Sequence, residues 1–187
     1  MRSIIKIFCL TMIFLHGANV SRAQEGAGHD LATGTVLATG RRVCSLSGGD
    51  WVVVAADSGM GERLGYYGDH FPVAQAIPSK VPGDINWDLM RAGVIPDIFI
   101  GMNAKKAYPY ARKEWWYRKT FVLSREDWRG RRIRLHFSGV DYAAKIWMDG
   151  EYLGRHEGQF TPFEFEIGNK LDGGGRHRLV VLIEAAP

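Results

Sequence analysis

The second half of the chain is built from short runs in which apolar and polar residues alternate. Ile133, Leu135 and Phe137, for example, have Arg134 and His136 between them. A period of two sends successive side chains to opposite faces of a β-strand. The same pattern recurs at residues 115–123, 144–148, 163–167 and 179–183. Short strands at regular spacing, with no crossover helices between them, predict antiparallel sheets.

Turn signals divide these runs. Asp149-Gly150 separates the run that ends at Met148 from a return strand beginning at Tyr152 and Leu153, a spacing that predicts a two-residue hairpin. Residues 172–175 (DGGG) predict another turn before the last strand.

The first half is less regular. Residues 51–55 (WVVVA) predict a strand. Asp84 is placed to cap a short helix over residues 85–92, with Ile85, Leu89 and Trp87 facing inward. The remaining segments predict an irregular surface crossing at 59–81, an extended segment at 94–101 and a loop at 102–111. Together these features predict an all-β jelly-roll β-sandwich with one short helix, covering residues 51–183.

The amino terminus has the features of a signal peptide. Arg2 and Lys6 precede an apolar run at residues 7–15 that is too short to cross a bilayer, and Ser21 and Ala23 are small residues at the positions a signal peptidase reads. We therefore predict export, with cleavage near Ala23. The predicted organisation is a signal peptide at 1–23, a flexible lead-in at 24–45 and a jelly-roll domain at 46–187.

The positive net charge belongs mostly to this leader. Arg2, Lys6 and Arg22 lie within it, and their removal from the 24 basic residues leaves 21 against 20 acidic residues. A near-neutral chain lacks the basic surface that nucleic acid requires. We expect neither a nucleic-acid nor a membrane partner.

Catalytic constellations are absent from the sequence. Motifs typical of serine hydrolases, zinc proteases and phosphate-binding loops do not occur, and the histidines have no metal-ligand spacing. The sequence also lacks an acidic calcium loop, so no metal or cofactor is predicted. Glu164 and Glu166 fit the solvated face of a strand better than a glycosidase pair. Cys44, the one cysteine after the leader, is predicted to be a buried small apolar residue.

The stretch KEWWYRKTF, residues 113–121, has two readings. Indole and phenol rings stack on the C–H faces of sugars, but they also fill the core of a sandwich. Trp116, Phe121 and Trp147 are predicted to be core residues. For Trp115 and Tyr117, at the start of the strand, the pattern leaves a sugar-stacking role and a core role equally open.

Several motifs in order carry a family resemblance. They are VPGDINWDLMRAGVIPD, GMN, WWYRKTF, SGVDYAAKIWMDGEYLGRHEGQFTPFEFEI and RHRLVVLI. Together they resemble the N-terminal, galactose-binding-like jelly-roll domain of glycoside hydrolase family 2, especially its β-mannosidase branch. In that family the two catalytic glutamates lie on a (β/α)8 barrel further along the chain, and these residues stop before such a barrel.

The resemblance implies a non-catalytic role for this chain. It is expected to be the accessory domain of an exported β-mannosidase-like exo-glycosidase, with the missing barrel as its main partner and a glycan bound weakly from one side. Asn103 matches a substrate-facing asparagine of related β-galactosidases, although an asparagine can equally hold a turn with its own side chain. The predicted sugar-binding residues are Asn103, Trp115 and Tyr117. A free-standing carbohydrate-binding module and a non-catalytic interaction domain remain as alternatives.

Overall fold

A computed structural model describes residues 6–15, 35–36, 42–123, 132–168, 170–171 and 175–185, with side chains from residue 43 onward. Within them, twelve strands form two antiparallel six-stranded sheets that pack against each other, which confirms the predicted β-sandwich. Residues 24–34 and 37–41 of the predicted lead-in at 24–45, and residues 172–174 of the predicted turn at 172–175, lie outside the described residues.

Sheet I contains most of the strands that the alternation predicts. In chain order they are β4 (Gly48–Ala56), β5 (Ile77–Val81), β7 (Glu114–Leu123), β9 (Ala143–Met148), β10 (Glu151–Glu157) and β12 (Gly175–Ile183). Their spatial order is β10-β9-β12-β7-β4-β5. β12 pairs with β7 along its whole length, from Gly175 opposite Leu123 to Ile183 opposite Trp115. Sheet I is therefore built around β12, the last strand of the described residues.

Sheet II contains shorter strands and the amino terminus. In chain order they are β1 (Lys6–Leu15), β2 (Thr35–Val36), β3 (Arg42–Ser45), β6 (Gly83–Asp84), β8 (Arg132–Val140) and β11 (Phe163–Glu166). The order is β11-β8-β1-β3-β2, and β6 also pairs with β1. Two strands thus lie in the predicted lead-in and a third in the predicted leader. The signal peptide remains a prediction, since a folded chain does not report whether its leader is cleaved.

The hairpin between β9 and β10 is confirmed. Asp149 has φ 51° and Gly150 has φ 88°, so both turn residues are left-handed, as a two-residue type I′ turn requires. The Asp149 carboxylate also accepts a hydrogen bond from the backbone N–H of Arg178, 2.7 Å away on β12. The turn is therefore joined to the neighbouring strand.

Two apolar clusters stabilise the fold. The main core lies between the sheets and includes Leu135 and Phe137 of sheet II, Leu179 of sheet I, and the predicted buried thiol, Cys44. A second cluster covers the opposite face of sheet I, where Trp116 and Trp147 stack at 5.2 Å between ring centroids. Both tryptophans are buried, as predicted, but beneath the segment that crosses the sheet at 57–76 rather than between the sheets.

The predicted helix is present as α2 (Ile85–Arg91), following a one-turn helix α1 (Met60–Arg63). The Asp84 carboxylate caps α2 by accepting from the Asn86 N–H at 2.8 Å. Ile85 and Leu89 are buried, as expected, but the inward orientation predicted for Trp87 is wrong, because its side chain is 52% exposed.

Three predictions for irregular segments also need correction. Residues 59–81 contain α1, a 3-10 turn at Val73–Gln75 and strand β5 rather than an unstructured crossing. Residues 94–101 form turns, not an extended segment. The predicted loop at 102–111 is largely a 3-10 helix, Asn103–Tyr110, in which Pro109 is tolerated.

Candidate functional site

Two of the three predicted sugar-binding residues, Trp115 and Tyr117, lie at the end of the sandwich where β7 begins. Ile183, at the end of β12, lies opposite both Trp115 of β7 and Ala144 of β9. The 3-10 helix Asn103–Tyr110 leads directly into this end of β7. Asn103 lies at the opposite end of this 3-10 helix from Tyr110, and no contact joins it to Trp115 or Tyr117 among the described residues.

Trp115 and Tyr117 point into the space between the sheets. Their side chains are only 2% and 3% exposed, and both belong to the main core. The Tyr110 ring lies beside the Trp115 indole, with 6.3 Å between ring centroids. Neither ring presents a face to solvent in this conformation, so the packing favours the core reading. A sugar contact at these residues remains a prediction.

The Trp115 indole is not fully satisfied by its surroundings. Its Nε1 is buried and has no hydrogen-bond partner among the described residues. A buried N–H without a partner costs stability. Trp115 Nε1 is therefore an unpaired donor inside the main core.

The Tyr117 hydroxyl is kept protonated by its setting. Burial raises its pKa well above the usual value of 10, and the carboxylates of Asp88 and Asp84 add to the effect. Tyr117 therefore acts as a neutral core side chain across the physiological pH range.

Asn103 holds a turn. Its Nδ2 donates to the backbone carbonyl oxygen of Asp97 at 2.9 Å, and its backbone N–H donates to Ile100 O at 3.1 Å. The side chain is half-buried. The structural role that asparagine commonly plays in turns is therefore present, and a substrate contact would have to share the same amide group.

A large apolar surface lies beside Asn103 and was not predicted. We define the 87–108 surface by five side chains that are each more than half exposed: Trp87, Phe99, Ile100, Met102 and Tyr108. The Trp87 and Phe99 rings are in contact, with 5.7 Å between centroids. Monomeric proteins rarely expose extended apolar patches that have no function. Phe99 and Ile100 of this surface belong to the run VIPDIFIG, for which the sequence predicts only an extended segment, and Met102 belongs to the predicted loop.

The acidic and histidine side chains that the structure describes are spread over both sheets rather than gathered in one cluster. Glu164 and Glu166 are exposed on β11, as predicted, and Glu164 lies 3.0 Å from His136 Nδ1 and 3.3 Å from Arg134. His177, on β12 of sheet I, contacts Asp149 in the β9–β10 turn of the same sheet. Among the described residues, no group of three or more histidine, cysteine or acidic side chains could hold a metal ion. No helix in the described part of the chain is both long and apolar enough to cross a bilayer.

Comparison with known proteins identifies the family. The model for the galactose-binding-like domain of glycosyl hydrolase family 2 matches residues 51–187. The chain belongs to this family.

Similar proteins within the family are much longer. β-Mannosidase B of Emericella nidulans is 32% identical over 119 residues, which are 64% of this chain and 14% of that protein. β-Galactosidase of Thermoanaerobacter pseudethanolicus is 39% identical over 67 residues, or 36% of this chain and 9% of that protein. This member of glycosyl hydrolase family 2 therefore spans a small fraction of the curated relatives it matches.

The solved structures agree on the fold. The β-D-mannosidase of Dictyoglomus thermophilum superposes with a TM-score of 0.62 at 28% identity, over 74% of this chain and 15% of that one. A β-glucuronidase from an uncultured Clostridium species, with a TM-score of 0.56 at 24% identity over 73% of this chain and 21% of that one, shares the fold. The jelly-roll sandwich is thus the galactose-binding-like domain of family 2 glycosidases.

Proposed function

We propose that this chain is the N-terminal accessory domain of an exported β-mannosidase-like exo-β-glycosidase. In this role it supports the fold of a larger enzyme and forms one edge of its active-site cleft. The catalytic carboxylates would lie on a barrel supplied by other residues of the same polypeptide. The similarity to two β-mannosidases supports the choice of branch.

The observation that carries the proposal is the 87–108 surface. Its five side chains are each more than half exposed, and two of its rings are in contact, as expected of a surface that another domain covers. It adjoins Asn103, the residue expected nearest to substrate. A domain that docks here would close the cleft from the opposite side and bring its own polar groups to the sugar.

Export of the enzyme is part of the same proposal. The basic residues, apolar run and small residues of the leader support it, with cleavage near Ala23. Cys44 is the single cysteine after the leader, so these residues cannot form a disulfide bond with one another after processing.

Reading the DNA downstream of the Pro187 codon tests this proposal most directly. An in-frame continuation encoding immunoglobulin-like domains and a barrel is the expected result. A stop codon at that position would contradict the accessory-domain role.

A free-standing carbohydrate-binding module is the second candidate. The contact between Trp87 and Phe99 favours it, because two neighbouring exposed rings can stack on a pyranose. In an accessory domain the site would be open on one side, so under the first proposal we expect an affinity for mannose of millimolar order or weaker, roughly −4 kcal/mol at best. Titration followed by tryptophan fluorescence, with Trp87→Ala and the buried-ring variant Trp147→Phe in parallel, measures it. Micromolar affinity lost only in Trp87→Ala would favour the module.

A further inference from the structure

Strand β1 has an unusual position in sheet II. It lies between β8 and β3 and pairs antiparallel with both. The pairing with β8 runs from Ile7 opposite Val140 to Leu15 opposite Arg132. The pairing with β3 runs from Thr11 opposite Ser45 to Phe14 opposite Arg42. β6 pairs with β1 as well. In the described residues, β1 is the only strand that joins β3 and β6 to β8. The centre of this sheet is therefore filled by residues of the predicted leader.

The sequence of β1 does not match the sheet that contains it. β8 and β11 alternate, with Arg134, His136 and Glu164 on the solvent side. In the register of β1, Ile13 lies opposite Arg134, and the run from Ile7 to Leu15 is apolar at nearly every position. A strand with one face in water should alternate instead. β1 is therefore long enough and apolar enough for this position, but it lacks the alternation of apolar and polar residues that the position requires.

Removal of the leader would leave two facing sheet edges. The N–H and C=O groups that β8 and β3 direct towards β1 would lose their partners, beside the fully buried side chains of Leu135, Phe137 and Leu46. Buried backbone groups are almost always paired, and open edges attract strands. The processed domain thus requires another strand here.

The direction of the chain indicates which strand this is. The Glu184 N–H, just after β12, donates to the Ala143 carbonyl oxygen at 2.9 Å. Val140, at the end of β8, is three residues from Ala143 and therefore within about 11 Å of it. A chain leaving Glu184 thus reaches the start of the gap through a short connection and runs along it antiparallel to β8, as β1 does.

We propose that the gap between β8 and β3 is an acceptor site for a strand that follows β12 in the longer polypeptide, and that β1 occupies this site only until the leader is removed. This inference rests on the proposed function, because it takes the chain to be part of a longer glycosidase. The incoming strand has apolar residues opposite Ile133, Leu135 and Phe137 and polar residues between them.

Moving the β1 sequence tests the acceptor site. Three proteins are compared: the full chain, the processed chain 24–187, and the processed chain with residues 6–15 attached after Pro187 through a flexible linker of about eight residues. Amide hydrogen exchange of β8 and β3 is measured by mass spectrometry, together with the melting temperature. We expect exchange in β8 and β3 to be at least about tenfold faster in the processed chain and restored by the moved strand.

A matched control separates strand pairing from apolar adhesion. In the control the moved segment carries Thr11→Pro and Ile13→Pro, which remove two backbone N–H donors but keep the segment apolar. This control should fail to restore protection. Equal rescue by both segments, or full protection of β8 and β3 in the unassisted processed chain, would overturn the proposal. If the processed chain does not fold at all, the deciding result is whether the moved strand restores the protection of β8 and β3.

The identity of the occupant has its own test. If an in-frame continuation follows Pro187, the processed chain extended by about 30 residues should show the same protection as the moved-strand protein, and failure to do so would refute the proposed occupant. A stop codon after Pro187 would refute both the occupant and the accessory-domain function. Rescue by the moved strand would then still show that the gap accepts a strand, so the two failures are distinguishable.

Discussion

The indole Nε1 of Trp116 donates a hydrogen bond to the Glu114 carboxylate at 2.9 Å, two residues back on the same strand. The carboxylate is itself buried and also accepts from the backbone N–H groups of Gly59 and Gly61, at 2.7 and 2.9 Å. One side chain thus fixes the second apolar cluster and the segment that covers it.

Glu114→Gln is expected to destabilise the domain by about 1–3 kcal/mol. The amide group that replaces one carboxylate oxygen would direct its own N–H groups at N–H donors, which leaves a buried donor unpaired. The free energy of unfolding in urea measures the effect. Glu166→Gln, on an exposed face, is the control and should change the stability by less than about 0.5 kcal/mol. Equal effects of the two substitutions would contradict this role for Glu114.

Gly61→Ala is expected to cost about 1–3 kcal/mol through overpacking. A Cβ at this position would lie 2.2 Å from Trp116 Nε1, so the indole or the α1 segment would have to move. Gly49→Ala is a matched control, because nothing lies within 4 Å of the Cβ it would add. Thermal unfolding of both variants provides the comparison. A Gly61→Ala protein as stable as Gly49→Ala would show that the crossing segment packs more loosely than described.

Tyr117→Phe should change the stability of the domain in alkali. Burial raises the pKa of the folded tyrosine well above 10. The unfolded chain therefore loses this proton first, and the stabilisation that is present below pH 10 is lost as the pH rises. The slope contributed by one proton is about 1.4 kcal/mol per pH unit. Urea unfolding at pH values from 8 to about 11 should show that the free energy of unfolding falls less steeply with pH in Tyr117→Phe than in the unmodified protein. Identical slopes in the two proteins would contradict this prediction.

The isolated chain should not hydrolyse aryl β-mannosides, β-glucosaminides or β-galactosides. Retaining hydrolysis needs two carboxyl groups about 5 Å apart across a shaped pocket. Glu164 and Glu166 lie exposed on one strand, and Glu164 is paired with Arg134 and His136. An assay with chromogenic glycosides should give the background rate for the unmodified protein and for the Glu164→Gln, Glu166→Gln double variant. Turnover that disappears in the double variant would make these residues catalytic.

The sheets were predictable because their signals are local. Alternation along β8 and the Asp149-Gly150 turn depend only on neighbouring residues, and both are confirmed. The short helix was predictable from its cap at Asp84 for the same reason. Trp87 was assigned to the wrong side because helical periodicity alone does not show which part of a seven-residue helix another element covers.

The second apolar cluster could not be inferred in the same way. Trp116 and Trp147 lie on strands separated in sequence, and both needed a cover formed by residues 57–76, a segment without clear periodicity. The 87–108 surface could not be predicted either, because apolar residues in a sequence are ordinarily assigned to a core. The sugar-binding role of Asn103, Trp115 and Tyr117 stays a prediction, and the turn that Asn103 holds depends on the backbone oxygen of Asp97, which the local sequence does not place.

The place of β12 has a consequence for the order in which the domain folds. This strand lies between β7 and β9 and is paired along most of its length with both, although it is the last strand in the described chain. During synthesis, sheet I cannot close until residues near 183 have left the ribosome, so nearly the whole domain has to wait, unfolded, for its final segment. Slow closure of this kind exposes apolar strands to aggregation in the cytosol.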